Sequence, residues 1–185
     1  MDNIKDQAQS ISQHPLPIVY IGRLNPSPIG PMWVAVSASG LVAIDWDMPQ
    51  ADFSLQVQDR LHANVVYDEI HTHQALEQLA EYLAGERQSF TLPIDFSGMT
   101  PFQLQVLHLT LDIPYGHTST YKELAKRLGN QFAARAVGRV EATNPIPLVI
   151  PCHRVLGSDG SLHGYGGPGG IKLKAWLLEL EKTHE

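Results

Sequence analysis

The sequence contains very little cysteine, with one such residue in a chain of 185. A single cysteine cannot form an internal disulfide and supplies no cluster for a structural zinc site, so we expect a reducing, cytoplasmic environment and no bound metal. Long apolar runs are missing too. Without about 18 consecutive apolar residues, the sequence predicts no membrane-spanning helix. The first 13 residues are polar and carry acids, which argues against a secretory signal peptide.

Basic residues are scarce in the first half of the chain. Residues 1–98 carry four bases against twelve acids, a net charge of −8, whereas residues 99–185 carry nine bases against seven acids, a net charge of +2. Within 117–140, five bases accompany a single acid, Glu123. Such a segment would attract a phosphate backbone. A solvated helix face would explain the same cluster, so charge alone leaves both interpretations open.

The first half has the pattern of a small sheet domain. β-branched residues fill two stretches, Ile18–Leu24 and Met32–Ile44, which turn-forming residues interrupt. A helix follows, with apolar residues three and four apart, and ends at Gly85. Residues 91–96 are predicted to form a last strand. The predicted organisation is a disordered N-terminal segment over 1–15, a scaffold domain over 16–98 and a second domain over 99–185.

The second half is predicted to be mostly helical. A capping box at Thr100 opens one helix, which should end at Asp112 because a proline follows closely. Another capping box, at Thr120, opens a short helix that ends at Gly129, and Asn130 is placed to cap a further helix. Two basic helices joined by a glycine turn outline a helix-turn-helix, although many helical hairpins share this pattern.

The only cysteine, Cys152, lies in a setting that favours a nucleophile. An apolar run precedes it, His153 follows it directly, and residues 157–170 contain seven glycines. His153 could accept the proton that a free thiol retains at neutral pH. Because neighbouring residues of a strand point to opposite faces, this contact requires an irregular backbone or a bridging water. The glycine-rich loop is typical of a pocket rim, where backbone approaches a ligand closely.

A carboxylate near the C-terminus is a candidate partner for this histidine. The last helix has an apolar stripe, and Glu181 lies four residues after Leu177, on the flank of that stripe. A carboxylate beside an apolar face usually has a partner, so we expect Glu181 to orient His153. The alternative is that Glu181 extends into solvent at a frayed terminus. The apolar stripe itself is predicted at Leu173, Trp176, Leu177 and Leu180.

Several motifs of this chain resemble those of the O6-alkylguanine-DNA alkyltransferases. The resemblance is dense from about residue 102 to residue 181 and thin before it, where only 27–31 is familiar. The segment around Cys152 is its most specific part. The segments that carry the resemblance are Ile113-Pro114-Tyr115-Gly116, Tyr121 with Leu124-Ala125, Ala133-Ala134-Arg135-Ala136-Val137-Gly138, Asn144-Pro145, Ile150-Pro151-Cys152-His153-Arg154-Val155, Gly164-Tyr165-Gly166-Gly167 and Leu177-Leu178.

The resemblance implies an α+β fold, in which a small ribonuclease-H-like sheet domain precedes a mostly helical domain with the helix-turn-helix. It also implies a cofactor-free monomer that binds double-stranded DNA containing O6-alkylguanine, associated with the nucleoid if the source is a prokaryote. The second helix would enter the minor groove, where Arg135 would fill the space of the flipped-out guanine. The small residues that would permit this close approach are Ala133, Ala134, Ala136 and Gly138.

The resemblance also implies a chemistry for the site. Cys152 would accept the alkyl group irreversibly, so each molecule would act once. Asn144, His153 and Glu181 would form the network that activates the thiol, and Tyr121 would donate a proton to the departing guanine. No cofactor takes part.

The pocket includes both matches to the family pattern and departures from it. Val155 matches a residue whose backbone carbonyl reads the flipped base, while Tyr165 and Gly166 match the pocket lid. Pro168-Gly169 lengthens that lid by two residues. Glu141 stands where an amide or apolar residue is more usual, and we expect it beside the DNA groove, where it would weaken binding or pair with Arg139 or Arg154.

Three alternative functions remain open from the sequence. A lesion-binding relative without transfer activity would lack the cysteine. A helix-turn-helix regulator would explain the basic helices but not the cysteine, histidine and glutamate together. A cysteine hydrolase would use the same nucleophile and base, but it would release many products per molecule.

Overall fold

The computed structural model describes residues 15–163, 165–166 and 169–184. The first part consists of β1 (Ile18–Leu24), β2 (Met32–Ser37), β3 (Gly40–Trp46), α1 (Gln50–Leu61), β4 (Asn64–Tyr67) and α2 (Glu69–Leu83). The second consists of α3 (Pro101–Leu111), β5 (Ser119–Thr120), α4 (Tyr121–Arg127), α5 (Ala134–Ala142), a 3-10 turn (Cys152–Arg154), β6 (Val155–Leu156) and α6 (Gly170–Thr183). The predicted α+β fold is confirmed. Most of the predicted disordered segment, 1–14, lies outside the described residues.

A four-stranded sheet organises the first part, with strand order β3-β2-β1-β4. β1 pairs antiparallel with β2 and parallel with β4, because α1 carries the chain across the sheet. Side chains alternate along the strands, so each face buries its own set. One face packs on α1 around Phe53 and Val57, and the other packs on α2 around Leu79 and Tyr82.

Helix α2 lies unusually close to the sheet at Gly22. A Cβ atom at this position would come within 2.0 Å of Thr72 Oγ1, so only glycine fits beneath the helix. The outer face of α2 then contacts the second part of the chain. A single apolar cluster runs from α2 through Leu107 and Leu124 to Ile150 and Leu177. The sheet domain and the helical domain therefore share one core.

The edge strand β3 is covered by backbone from elsewhere. Leu41 N donates to Pro93 O at 2.8 Å, and Ile44 N donates to Pro145 O at 2.8 Å. The prediction of a strand over 91–96 is wrong, because within this segment Ile94 forms only an isolated bridge with Leu41. Pro93 restricts the pairing of this segment, since a proline donates no backbone hydrogen bond.

Local hydrogen bonds explain where the predicted helices begin. Thr100 and Gln103 form a complete capping box, as do Thr120 and Glu123, and both predictions are confirmed. The helix α5 is different. It begins at Ala134, because Asn130 uses its side chain in a turn, accepting from Phe132 N at 3.1 Å.

The structure adds two elements that the sequence patterns did not indicate, α1 and β4. Helix α1 buries only Phe53 and Val57, so its apolar periodicity is weak. Strand β4 has no fully buried residue and lies at the sheet edge. Among the described residues, no helix is both long enough and apolar enough to cross a membrane.

Candidate active site

Cys152 lies at the start of a tight turn at the end of a buried segment. The run before it is almost entirely buried, and Leu148 within it adopts a φ of 72°, in the left-handed region. Asn144 holds this segment in place: its Nδ2 donates to Ile150 O at 2.9 Å, and its Oδ1 accepts from Ile146 N at 3.0 Å. The 3-10 turn of Cys152–Arg154 gives this segment an irregular backbone. Among the described residues, however, Cys152 and His153 form no direct hydrogen bond.

The predicted contact between His153 and Glu181 is present. His153 Nε2 lies 2.8 Å from Glu181 Oε1, and both side chains are fully buried. The alternative of a solvent-exposed Glu181 is therefore wrong. Because Nε2 faces a carboxylate, it carries the hydrogen of the neutral ring, and Nδ1 is left as the basic nitrogen. His153 Nδ1 is buried and has no hydrogen-bond partner among the described residues.

Glu181 receives more donors than the sequence suggested. Arg154 approaches it with two nitrogens, Nη2 at 2.9 Å from Oε1 and Nε at 2.9 Å from Oε2. Gly116 N adds a contact of 3.2 Å to Oε2, and the Tyr82 hydroxyl donates to Oε1 at 2.7 Å. Burial alone would raise the pKa of Glu181, but the hydrogen bonds from His153 and Arg154 outweigh it and lower the pKa to about 2.

Both members of the Cys–His pair are neutral at rest. Burial raises the pKa of Cys152 to about 12, and the nearby Glu141 carboxyl also raises it, whereas Asn144 and Lys174 lower it. Burial also lowers the pKa of His153, although Glu181 acts in the opposite direction. The resting sulfur is therefore a thiol, and a thiolate forms only when its proton is transferred to a base.

Glu141 is not beside a groove, and that expectation is wrong. The residue is 5% exposed, and its Oε1 lies 2.6 Å from Thr110 Oγ1. Thr110 Oγ1 also donates to Val106 O at 3.0 Å. Since a hydroxyl has one hydrogen, both bonds form together only when Glu141 is the protonated donor. Burial raises the pKa of Glu141 to about 7, which agrees with this arrangement.

A buried lysine was missing from the sequence-based site. Lys174 is 0% exposed, and its Nζ donates to Val155 O at 2.6 Å. It also lies 5.7 Å from the centre of the Tyr121 ring. Helix α6 is thus rotated relative to the predicted stripe, since Lys174 and Glu181 face inward while Trp176 is 37% exposed. The sequence did contain a signal for this burial, because Lys174 lies seven residues before Glu181 and therefore on the same face of the helix.

Tyr121 lies at the first turn of α4, beside this lysine. Its hydroxyl donates to His163 O at 3.2 Å, and burial raises its pKa to about 12. Tyr121 is therefore protonated at neutral pH and could act as a proton donor. Gly138 of α5 faces the Tyr121 ring, since a Cβ there would lie 3.7 Å from it.

Helix α5 presents a basic surface to solvent. Arg135, Ala136 and Arg139 are exposed, whereas Val137 is buried against the rest of the domain. The other predicted small residues, Ala133 and Ala134, are half-buried and pack against the core. Of the four small residues predicted to face a groove, Ala136 is the exposed one.

A cavity of about 270 Å³ opens beside Cys152, with Asn144, Glu141, Tyr165 and Gly166 in its wall. The Tyr165 ring stacks on Trp46 of the sheet domain, with centroids 6.4 Å apart. Gly166 admits no side chain, since a Cβ would lie 2.1 Å from Ala142 O. Gly169 caps α6 with a φ of 89°. Its neighbour in the predicted insertion, Pro168, lies outside the described residues.

Comparison with known proteins decides the family. The model for the DNA-binding domain of 6-O-methylguanine DNA methyltransferase matches residues 101–183, and the model for its ribonuclease-like domain matches residues 20–96. This chain belongs to the 6-O-methylguanine DNA methyltransferase family. The family and the enzyme class predicted from the sequence, a methylated-DNA–protein-cysteine methyltransferase, are confirmed.

Several members of this family align with most of this chain. The methylated-DNA–protein-cysteine methyltransferase of Mycobacterium leprae is 42% identical over 156 residues, which cover 84% of this chain and 88% of that protein. The protein of that name from Methanosarcina acetivorans is 40% identical, over 84% of this chain and 94% of its own length. The structure of Mycobacterium tuberculosis OGT in complex with DNA is 39% identical, with a TM-score of 0.76, over 89% of this chain and 94% of that one.

Proposed function

We propose that this methyltransferase repairs O6-alkylguanine in duplex DNA by moving the alkyl group onto its own Cys152. The observation that carries this proposal is the turn at Cys152. It brings the sulfur to the wall of a cavity, while the next residue supplies a buried base that is held by Glu181. The names of the relatives, and the DNA in the Mycobacterium tuberculosis structure, support the same reaction.

The reaction begins with the movement of a proton. His153 Nδ1 accepts the thiol proton of Cys152, directly or through a water, while Nε2–H stays bonded to Glu181. The sulfur then attacks the alkyl carbon in line with its bond to guanine O6. A carbon–sulfur bond forms, the carbon–oxygen bond breaks, and its electron pair leaves with guanine. Tyr121 provides the proton that neutralises the leaving base.

The product explains why the protein should act once. An S-alkylcysteine is a thioether, and water does not readily cleave its carbon–sulfur bond, whereas it does cleave the ester or thioester of an acyl-enzyme. The protein is thus consumed in proportion to the lesions that it repairs.

DNA is engaged through α5 in this proposal. Arg135 takes the place of the flipped guanine, and the exposed Ala136 permits close approach to the minor groove. Contacts to the backbone would give weak, salt-sensitive binding without a strong sequence preference. The sheet domain, with a net charge of −8 over 1–98, would face away from the duplex. We also propose a monomer divided into two domains near residue 98.

Mass spectrometry after incubation with excess duplex DNA containing O6-methylguanine tests the proposal. Trypsin releases residues 140–154, which hold the only cysteine. We expect one added CH2 unit per molecule on Cys152 and restoration of the lesion to guanine. The matched control is Cys152→Ala, which should bind the same DNA and leave the lesion unchanged.

Each alternative predicts a different result. Tight binding to the lesion without an adduct would make the protein a lesion sensor. Several repaired guanines per protein molecule would make it a hydrolase. Binding to one preferred DNA sequence regardless of damage would make it a regulator. Any of these three results overturns the proposal.

A further inference from the structure

Tyr82 of the sheet domain contacts the buried pair of His153 and Glu181. Tyr82, on α2, is 0% exposed and lies 71 residues before His153 in the chain. Its ring is held edge-on against Tyr115, with centroids 6.3 Å apart, and tilted against Phe90 at 5.3 Å. Such packing leaves the hydroxyl one orientation, toward α6.

The hydroxyl of Tyr82 forms a triangle with the side chains of His153 and Glu181. It donates to Glu181 Oε1 at 2.7 Å and lies 3.2 Å from His153 Nε2. Because the hydroxyl hydrogen is used on Glu181, the phenolic oxygen can act as a second, more distant acceptor for the His153 Nε2–H that donates to Glu181. Tyr82 thus contacts both the carboxylate and the imidazole, and it fixes the angle between them.

The same hydroxyl also moderates the basicity of Glu181. Oε1 accepts from Tyr82, His153 and Arg154, and every donor on one oxygen weakens the hold of that oxygen on the others. The other charged or titratable groups that act on Tyr82 or His153 are Arg154 from the 3-10 turn, Tyr165 from the loop before α6 and Lys174 from α6. Removing the Tyr82 hydroxyl would leave Glu181 a stronger acceptor for the His153 proton.

We propose that Tyr82 is a positioning residue for alkyl transfer, through which the sheet domain takes part in activating Cys152. The inference rests on the proposed function, in which His153 is the base. Tyr82 holds the imidazole with Nδ1 directed away from Glu181 and keeps the ring neutral over a wider range of pH. The sheet domain is therefore part of the active site as well as a scaffold.

Tyr82→Phe tests this role, because it removes one oxygen and keeps the ring. We expect a single-turnover transfer rate about tenfold lower than wild type, as the loss of one hydrogen bond to a charged group implies. The acid limb of the pH–rate profile should shift to higher pH, because a more basic Glu181 raises the pKa of His153. Affinity for lesion DNA should not change, since Tyr82 is far inside the protein.

Tyr115→Phe is the matched control. It removes the other buried hydroxyl of the same ring pair, and that hydroxyl has no hydrogen-bond partner among the described residues. We expect its rate and pH profile to equal those of wild type. Thermal unfolding of both variants ensures that rates are compared between folded proteins.

Fluorotyrosine at position 82 provides a test that does not depend on the stability of the phenylalanine variant. It retains the hydroxyl and makes it a stronger donor, so the acid limb should shift to lower pH, opposite to the shift in Tyr82→Phe. If wild type transfers the alkyl group, and Tyr82→Phe and the fluorotyrosine form both keep its pH–rate profile, the role of Tyr82 is overturned while the proposed function stands. Failure of wild type to transfer would overturn both.

Discussion

Glu141 offers the sharpest test of the energetics of the site. It is buried, its Oε1 is bonded to Thr110, and burial raises its pKa from 4.5 to about 7. In Glu141→Gln, the side-chain amide can donate to Thr110 Oγ1 as the protonated acid does, so the packing should survive. The substitution therefore removes the ionisation and little else.

The magnitude follows from linkage. The pKa is higher in the folded state than in the unfolded state, so the stability that the neutral acid provides is complete below about pH 4.5 and is lost as the pH rises through about 7. The rise of the pKa from 4.5 to about 7 corresponds to at most about 3.4 kcal/mol. In a protein of this size, the Tm of Glu141→Gln relative to wild type should therefore be up to about 7 to 14 °C higher at pH 8 than at pH 4.5.

The measurement is chemical and thermal unfolding of both proteins between pH 4.5 and 8. The advantage of Glu141→Gln should grow with pH, most steeply between about 5 and 7. Glu179→Gln, which removes an exposed carboxyl on α6, controls for the loss of one acid. A difference between Glu141→Gln and wild type that stays constant over this range would refute the assignment of Glu141 as a buried acid.

Three further predictions concern other parts of the site. Arg135→Ala should slow repair more in duplex than in single-stranded substrate, because base flipping is needed only in the duplex; equal loss in both, measured by single-turnover kinetics, would contradict the flipping role. Glu181→Gln should lower the free energy of unfolding by about 3 to 5 kcal/mol near neutral pH, because the buried Arg154 charge loses its partner. As the pH falls from 4.5 toward about 2, Glu181 becomes protonated, so wild type should lose the stability that this carboxylate provides. Glu181→Gln should show no such loss, and denaturant titrations at each pH measure the difference. Gly166→Ala should reduce transfer without loss of DNA affinity, since its Cβ would lie 2.1 Å from Ala142 O and push the loop out of the cavity wall; an unchanged rate would show that the loop has room.

Local hydrogen bonding made the helix starts predictable. The capping boxes at Thr100 and Thr120 involve residues only three apart, so the sequence contains the whole interaction. The motif around Cys152 was predictable for a similar reason, since an apolar run, a cysteine and a histidine are adjacent. The contact of His153 with Glu181 followed from the helical spacing of α6 together with the rule that buried charges have partners.

Long-range contacts explain what the sequence did not reveal. Tyr82 meets Glu181 across 99 residues, and nothing near Tyr82 in the chain distinguishes it from an ordinary core tyrosine. The sequence analysis assigned Lys174 no role, and only the fold shows that two backbone carbonyls accept hydrogen bonds from its ammonium group. Glu141 was expected beside the DNA groove from its place in the family pattern, and only its burial and its contact with Thr110 on a separate helix show otherwise.

The two prolines that cover β3 have a consequence for solubility. An exposed sheet edge can pair with the edge of another molecule, and that pairing leads to aggregation. Pro93 and Pro145 accept hydrogen bonds from β3, and Asp95 N donates to Leu41 O, so backbone from outside the four strands occupies this edge. Because Pro145 belongs to the helical domain, separation of the two domains would uncover Ile44 and its neighbours. Partial unfolding that leaves the sheet intact should therefore be the state from which this protein aggregates.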